Sequence, residues 1–126
     1  DPTKLSGDTS TTERVAAAVN AIDEMEALLY RNFDEMMTAV NAGEEVPVAD
    51  RVKYRYQASL VIEKSMGVID SLFSSAGGAS VFTGAEIQQR FLDIHTARAH
   101  VANNPTSFAR NLGGVTLGAD NQDLFL

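Results

Sequence analysis

Between residues 15 and 40, Val15, Val19, Ile22, Leu29, Phe33, Met36 and Val40 recur at steps of 4, 3, 7, 4, 3 and 4. An α-helix turns once in about 3.6 residues, so such steps hold these side chains on one face. A strand cannot do this, because its successive side chains point to opposite faces. The segment is therefore constrained to one long amphipathic helix whose apolar stripe needs a cover. Glu26 occupies the skipped position, with Met25 beside it. At the start, Ser10-Thr11-Thr12-Glu13 fits a capping box, in which Ser10 accepts from the third amide and Glu13 reaches back to the Ser10 amide. Gly43 is placed to end the helix just past its carboxy-terminal cap.

After a short connection over Glu44 to Pro47, a second helix reads from Val48-Ala49-Asp50 to Ser74. Its first half carries a narrow stripe of Val52, Tyr56 and Leu60, which makes Tyr56 a core residue. Its second half is apolar on most sides through Leu60, Val61, Ile62, Met66, Val68, Ile69, Leu72 and Phe73. A helix that becomes apolar all round is entering the centre of something, and a partner subunit is one candidate. The small-residue run Ser74-Ser75-Ala76-Gly77-Gly78-Ala79-Ser80 leads to a third helix from Thr83 or Gly84, carrying Ile87, Phe91, Ile94 and Val101. Asn104-Pro105 stops it and begins a short fourth helix, with Asn104 as cap and Pro105 in the first turn. Gly113-Gly114 is read as the end of that helix, and a trace of strand-like alternation is confined to Val115-Thr116-Leu117. Short connections make sequential helices antiparallel neighbours. The fold class is thus an all-α, up-down helical bundle of three long helices plus a short fourth. A flexible lead-in is expected over 1–9, the bundle domain over 10–118 and a tail over 119–126, whose apolar Leu124-Phe125-Leu126 should dock on a surface.

At 126 residues and 44% hydrophobic content the chain can bury one compact core. A net charge of −7 argues against a nucleic-acid surface. Arg51, Lys53 and Arg55 are read as a solvated helix start, with an anion contact as the alternative. Cysteine is absent, which removes disulfides and thiolate chemistry and is in keeping with a cytoplasmic location. No run of 18 apolar residues offers a membrane span. The start lacks both an initiator Met and a basic-then-apolar leader, so the chain reads as a piece of something longer.

The two histidines, His95 and His100, are both placed on the third helix. Five residues apart, they point about 140° from each other around a helix axis. Chelation from one helix needs a spacing of four, so no metal site is expected. Each is either hydrogen-bonded at the helix surface or catalytic. The glycine-containing run can line a phosphate or the edge of an isoalloxazine ring, or be a plain turn. It lacks the Gly-Lys-Ser/Thr of a Walker loop and the preceding strand of a dinucleotide fingerprint. Arg90 and Asp93, three apart, can form a surface ion pair.

The run Phe73-Ser74-Ser75-Ala76-Gly77-Gly78-Ala79-Ser80-Val81-Phe82, followed by Glu86 through His100 and then Asn104-Pro105, resembles the closing helices of acyl-CoA dehydrogenase-fold flavoproteins. Its ending, Asp93-Ile94-His95-Thr96-Ala97-Arg98-Ala99-His100, is most similar to the flavin-dependent monooxygenase branch, the two-component aromatic hydroxylases. The resemblance implies the carboxy-terminal part of an oxygenase component that hydroxylates an aromatic, phenolic substrate with O₂. Its cofactor would be reduced flavin (FMNH₂ or FADH₂) delivered by a separate flavin reductase, with no metal. It also implies a homotetramer with the carboxy-terminal bundles at its centre.

By position, His100 falls where the branch carries its active-site histidine. Its implied role is to polarise or deprotonate the substrate hydroxyl, or to hydrogen-bond the oxygen being transferred. Ser75, Gly77, Gly78 and Ala79 fall at the loop that approaches flavin, that of a neighbouring subunit. His95 matches a recurrent position to which the resemblance assigns no role. Two departures stand out. Leu92 replaces an Arg common before the Asp. The Tyr-Glu-Gly stretch that follows the Asp in many acyl-CoA dehydrogenases is missing, which favours an oxygenase over a dehydrogenase. The remaining readings are a fragment of an acyl-CoA dehydrogenase-like oxidoreductase and a stand-alone helical oligomerisation module. In the fragment readings the chain alone is expected to be inactive.

Overall fold

The computed structural model describes residues 7–78 and 84–126. Most of the expected lead-in, and Ala79 of the glycine run, lie outside the described residues. What is described is all-α: α1 (Thr9–Asn41), α2 (Val48–Ser75), α3 (Glu86–Arg98), a 3-10 turn (Val101–Asn103) and α4 (Pro105–Thr116).

The chain caps its helices largely by local chemistry. Asp8, two residues before the expected Ser10, is the N-cap of α1. Its carboxylate accepts from the Thr11 amide and hydroxyl, and the Thr11 hydroxyl and amide hold the Asp8 carboxyl below its ordinary range. Gly43 ends α1 as expected, at φ +71°, and its neighbours close a Schellman pair: Glu44 N–H to the Ala39 carbonyl and Gly43 N–H to that of Val40. Asn104 caps α4 and Pro105 occupies its first turn, also as expected. The glycine pair at 113–114 does not end α4. The helix runs through it to Thr116, and Gly118 at φ +96° makes the same Schellman closure, so Val115-Thr116-Leu117 is helix end rather than strand.

Residue pairs define the topology. Arg14 donates to the Ser71 carbonyl, the Ser65 hydroxyl meets the Met25 sulfur, Asn32 donates to Gln57, and Tyr54 donates to Glu35. As the α1 number rises the α2 number falls, so α1 and α2 are antiparallel. Phe73 meets Phe91, Asp70 meets His95 and Glu63 meets Arg98, which makes α2 and α3 antiparallel as well. Helix α2 is the element against which α1, α3, the 3-10 turn and α4 all pack. Its buried residues, Val52, Tyr54 and Ser59, nevertheless lie in its first half, and the apolar side chains of its second half stay half-buried.

The stripe that dictated α1 is not the seam it buries. Its buried residues are Thr11, Ala18, Met25 and Asn32, each seven apart. Val19, Ile22, Phe33 and Val40 remain 63, 44, 51 and 60% exposed. At 100° per residue the exposed set lies about 70° round the helix from the buried one. A seven-residue repeat is the seam of two helices packed along their length, and small or polar side chains at it allow close approach. Tyr54, not Tyr56, is the buried tyrosine, at 8% exposure. Arg51 and Arg55 do not form a merely solvated helix start: Arg51 donates to the Leu126 carbonyl and Arg55 pairs with Asp123, while Lys53 pairs with Asp50. The tail is thereby held on α2, with Leu124 and Phe125 projecting outward.

The hydrogen bond to Glu35, with burial behind it, pushes the Tyr54 phenol from 10.0 up to about 12. A group that holds its proton more tightly when folded contributes stability that is complete below its unfolded pKa and lost as pH rises through the folded one. Chemical denaturation between pH 10 and about 12 should therefore show a steeper loss for wild type than for Tyr54→Phe. Parallel curves for the two proteins would contradict this coupling.

Candidate active site

The glycine turn and the two histidines are set by the α2–α3 pair. Helix α2 ends at Ser75, and Ala76 closes it by donating to the Leu72 and Phe73 carbonyls. Gly77 follows at φ +69°, a conformation that favours glycine. A Cβ built at Gly77 or Gly78 meets no described atom within 4 Å. The Ser74 and Ser75 hydroxyls donate back to the Asp70 and Ser71 carbonyls, which leaves their oxygens free to accept. The turn thus sits at the carboxy-terminal, partially negative end of a long helix and offers acceptors. Of the two groups weighed for it, a phosphate is disfavoured there.

His100 is not on the third helix. Helix α3 ends at Arg98, and His100 is the N-cap of the following 3-10 turn. Its backbone is tied on both sides, N–H to the Ala97 carbonyl and carbonyl from the Asn103 N–H. Its Nδ1 accepts from the Ala102 N–H at 3.1 Å. A ring nitrogen that accepts carries no proton, so the neutral ring bears its hydrogen on Nε2. The ring is exposed, as is Val101.

His95 lies in the last turn of α3, one-third exposed, with Nε2 at 2.8 Å from Asp70 Oδ1. Its ring packs on Phe91 at 4.3 Å between centroids, and Phe91 packs on Phe73 at 4.7 Å. Composition and spacing along one helix gave no hint of the Asp70 partner. The signal that could have found it is a cross-helix register: an acid three residues before Phe73 faces a histidine four residues after Phe91 once the helices are antiparallel. Arg90 pairs with Asp93, as expected, and with Glu86.

Within one chain the structure does not bring His100 and the glycine turn together. Helix α3 starts beside the turn and runs away from it. Its 13 residues span about 20 Å. His95 lies between the two. A cleft of about 880 Å³, lined by Arg31, Glu35, Asp50 and Tyr54 among others, lies at the far end of α2 from the turn and holds none of these groups. Among the described residues no three His, Asp or Glu side chains converge as a metal site, and no helix is long and apolar enough to cross a membrane.

The family model described as acyl-CoA dehydrogenase, C-terminal domain, matches residues 2–105, and the chain belongs to that family. It is 33% identical over 92 residues to the oxygenase subunit HsaA of a flavin-dependent monooxygenase from Rhodococcus jostii, covering 73% of this chain and 24% of that protein. A pigment production hydroxylase from Rhodococcus erythropolis is 27% identical, over 75% of this chain and 24% of its own length. Among solved structures, HsaA monooxygenase from M. tuberculosis superposes with a TM-score of 0.91 at 26% identity, over 99% of this chain and 33% of that one. The 3-HSA hydroxylase from Rhodococcus sp. RHA1 gives 0.88 at 29%, over 92% of this chain and 31% of that one. The chain spans about a quarter of the length of the curated relatives it matches.

The two glycines of the turn should respond differently to a methyl group. Gly77→Ala places a side chain at φ +69° and should cost about 1 kcal/mol. Gly78→Ala meets neither strain nor a described neighbour and should stay within about 0.5 kcal/mol of wild type in chemical denaturation. Equal losses at both positions would contradict the turn geometry.

Proposed function

We propose that this chain is the carboxy-terminal part of the oxygenase component of a two-component flavin-dependent monooxygenase, which hydroxylates an aromatic, phenolic substrate with O₂. The observation that carries this reading is His100, held with its Nε2–H free at the end of α3, in a chain similar along its length to oxygenase subunits. The cofactor is reduced flavin, FMNH₂ or FADH₂, delivered by a separate reductase; when bound it supplies the electrons that activate O₂.

The residues of this chain then have separable tasks. Ser75, Gly77, Gly78 and Ala79 receive the edge of the flavin of a neighbouring subunit, with the serine oxygens as acceptors and the bare glycine backbone allowing close approach. His100 donates from Nε2 to an oxygen of the substrate or of the oxygen being transferred. With Nδ1 engaged by Ala102, the ring in this state has no lone pair at Nε2 to take a proton.

The roughly 20 Å between His100 and the turn is spanned by assembly. In a homotetramer, the turn of one copy serves the site of another. The uncovered stripe of α1 and the projecting Leu124 and Phe125 are the surfaces for such contacts and for the rest of the polypeptide. The assembly works in the cytoplasm, and the 126-residue chain alone does not turn over.

Replacing His100 by Ala in the full-length protein tests the reading. Loss of one preorganised donor slows hydroxylation by about 10²-fold, diverts reduced flavin to H₂O₂ and leaves flavin binding largely intact. An unchanged ratio of hydroxylated product to H₂O₂ would remove His100 from the site.

A further inference from the structure

The two imidazoles of this chain expose opposite chemistry. At His100 the Nδ1 lone pair is used by the Ala102 N–H, and what the ring offers outward is the Nε2–H. At His95 the reverse holds. Its Nε2 lies 2.8 Å from the Asp70 carboxylate, which can only accept, so the hydrogen sits on Nε2. Nothing among the described residues hydrogen-bonds its Nδ1, which keeps a lone pair on a ring that is one-third exposed. An acid that fixes the ring and tautomer of a histidine through one nitrogen, leaving the other bare, is the orienter-and-base arrangement used for proton abstraction. The ring's neighbours are aromatic as well: Phe91 packs on it and Phe73 on Phe91, a row of rings against which a flat ligand can lie, one turn of α2 from Ser74 and Ser75.

We infer that His95, oriented by Asp70, is the proton acceptor for a phenolic substrate, and that His100 is a donor only. The inference rests on the monooxygenase reading above, but assigns the proton to a residue to which that reading gives no role. In the step, the phenol O–H bond breaks and an Nδ1–H bond forms. The electron pair stays on the oxygen, giving the more electron-rich phenolate. The resulting imidazolium faces the Asp70 carboxylate. Of the other charged groups on these helices, Glu63 of α2 pairs with Arg98 at 3.9 Å and Arg90 with Glu86 and Asp93 on α3, while Arg14 of α1 donates to the Ser71 carbonyl; Asp70 is the carboxylate in contact with this ring and its counter-charge.

The competing reading is that the Asp70–His95 bond merely fastens α3 to α2. Glutamine separates the two, because its amide N–H₂ can still donate to Asp70 while it has no basic lone pair. 4-Nitrophenol, whose anion absorbs in the visible, is titrated into full-length protein with bound flavin, at a pH where the free phenol is neutral. Bound anion is read by difference absorbance, and folding by thermal melting. Wild type should show the anion. His95→Gln should lose it by at least about tenfold with its melting point kept, and Asp70→Asn should fall between. His100→Gln should keep the anion signal although it loses hydroxylation. Retention of the anion in His95→Gln, or its loss in His100→Gln instead, would overturn the assignment. So would absence of the anion in wild type. In that case hydroxylation of a phenol by the same preparation leaves the monooxygenase reading standing, and neither binding nor hydroxylation of any phenol removes both.

Discussion

Phe73 on Phe91 and Asp70 on His95 lock α3 antiparallel to α2, and most of what this chain can do depends on that contact. One end of α3 starts from the glycine turn, and the other releases the chain into the 3-10 turn that holds His100. The aromatic pair supplies burial. The acid and imidazole supply direction, since a hydrogen bond of 2.8 Å tolerates little sliding. A slip of one helical turn, about 5.4 Å, would part Asp70 from His95 and Phe73 from Phe91 together. The position of His100 relative to the rest of the bundle is set by this register and by the Asn103 and Ala102 contacts beyond it.

Much of the fold was legible in residue order. Helical steps located α1 and α2 to within a residue or two, Gly43 marked a true helix end, and Asn104-Pro105 marked a true start. What periodicity could not reveal is which apolar face a helix spends inside its own chain. On α1 the mixed set Thr11, Ala18, Met25 and Asn32 at seven-residue spacing is buried, and most of the stronger hydrophobic stripe is left outside. The sequence displays both faces without saying which one the chain itself covers. Likewise Arg51 and Arg55 looked like a solvated surface because their partners are far away in sequence: Leu126 for Arg51 and Asp123 for Arg55.

The candidate site was legible in its parts and not in its assembly. His100 and the glycine run could be named by their resemblance to the flavin-dependent monooxygenase branch; what is shown is membership in the acyl-CoA dehydrogenase C-terminal domain family, and the roles of these residues are proposed. Their separation could not, because it depends on α3 running away from the turn and stopping at Arg98 rather than continuing past residue 100. The Asp70–His95 bond joins residues 25 apart on different helices, and no local pattern announces it. A tautomer is further removed still from anything a sequence displays, since it depends on which nitrogen meets which partner.

Separating His100 from the turn by the length of α3 leads to the central claim, that one active site draws on two copies of the chain. Subunit mixing tests it directly. Full-length protein carrying His100→Ala is dissociated and reassembled with protein carrying Gly78→Leu, each strongly slowed alone. If the two groups come from different copies, some sites in the mixed oligomer pair an intact His100 with an intact turn, and hydroxylation returns. If both groups serve the site of their own chain, every site keeps one defect. Mixed oligomers as slow as the parents would then contradict the shared site.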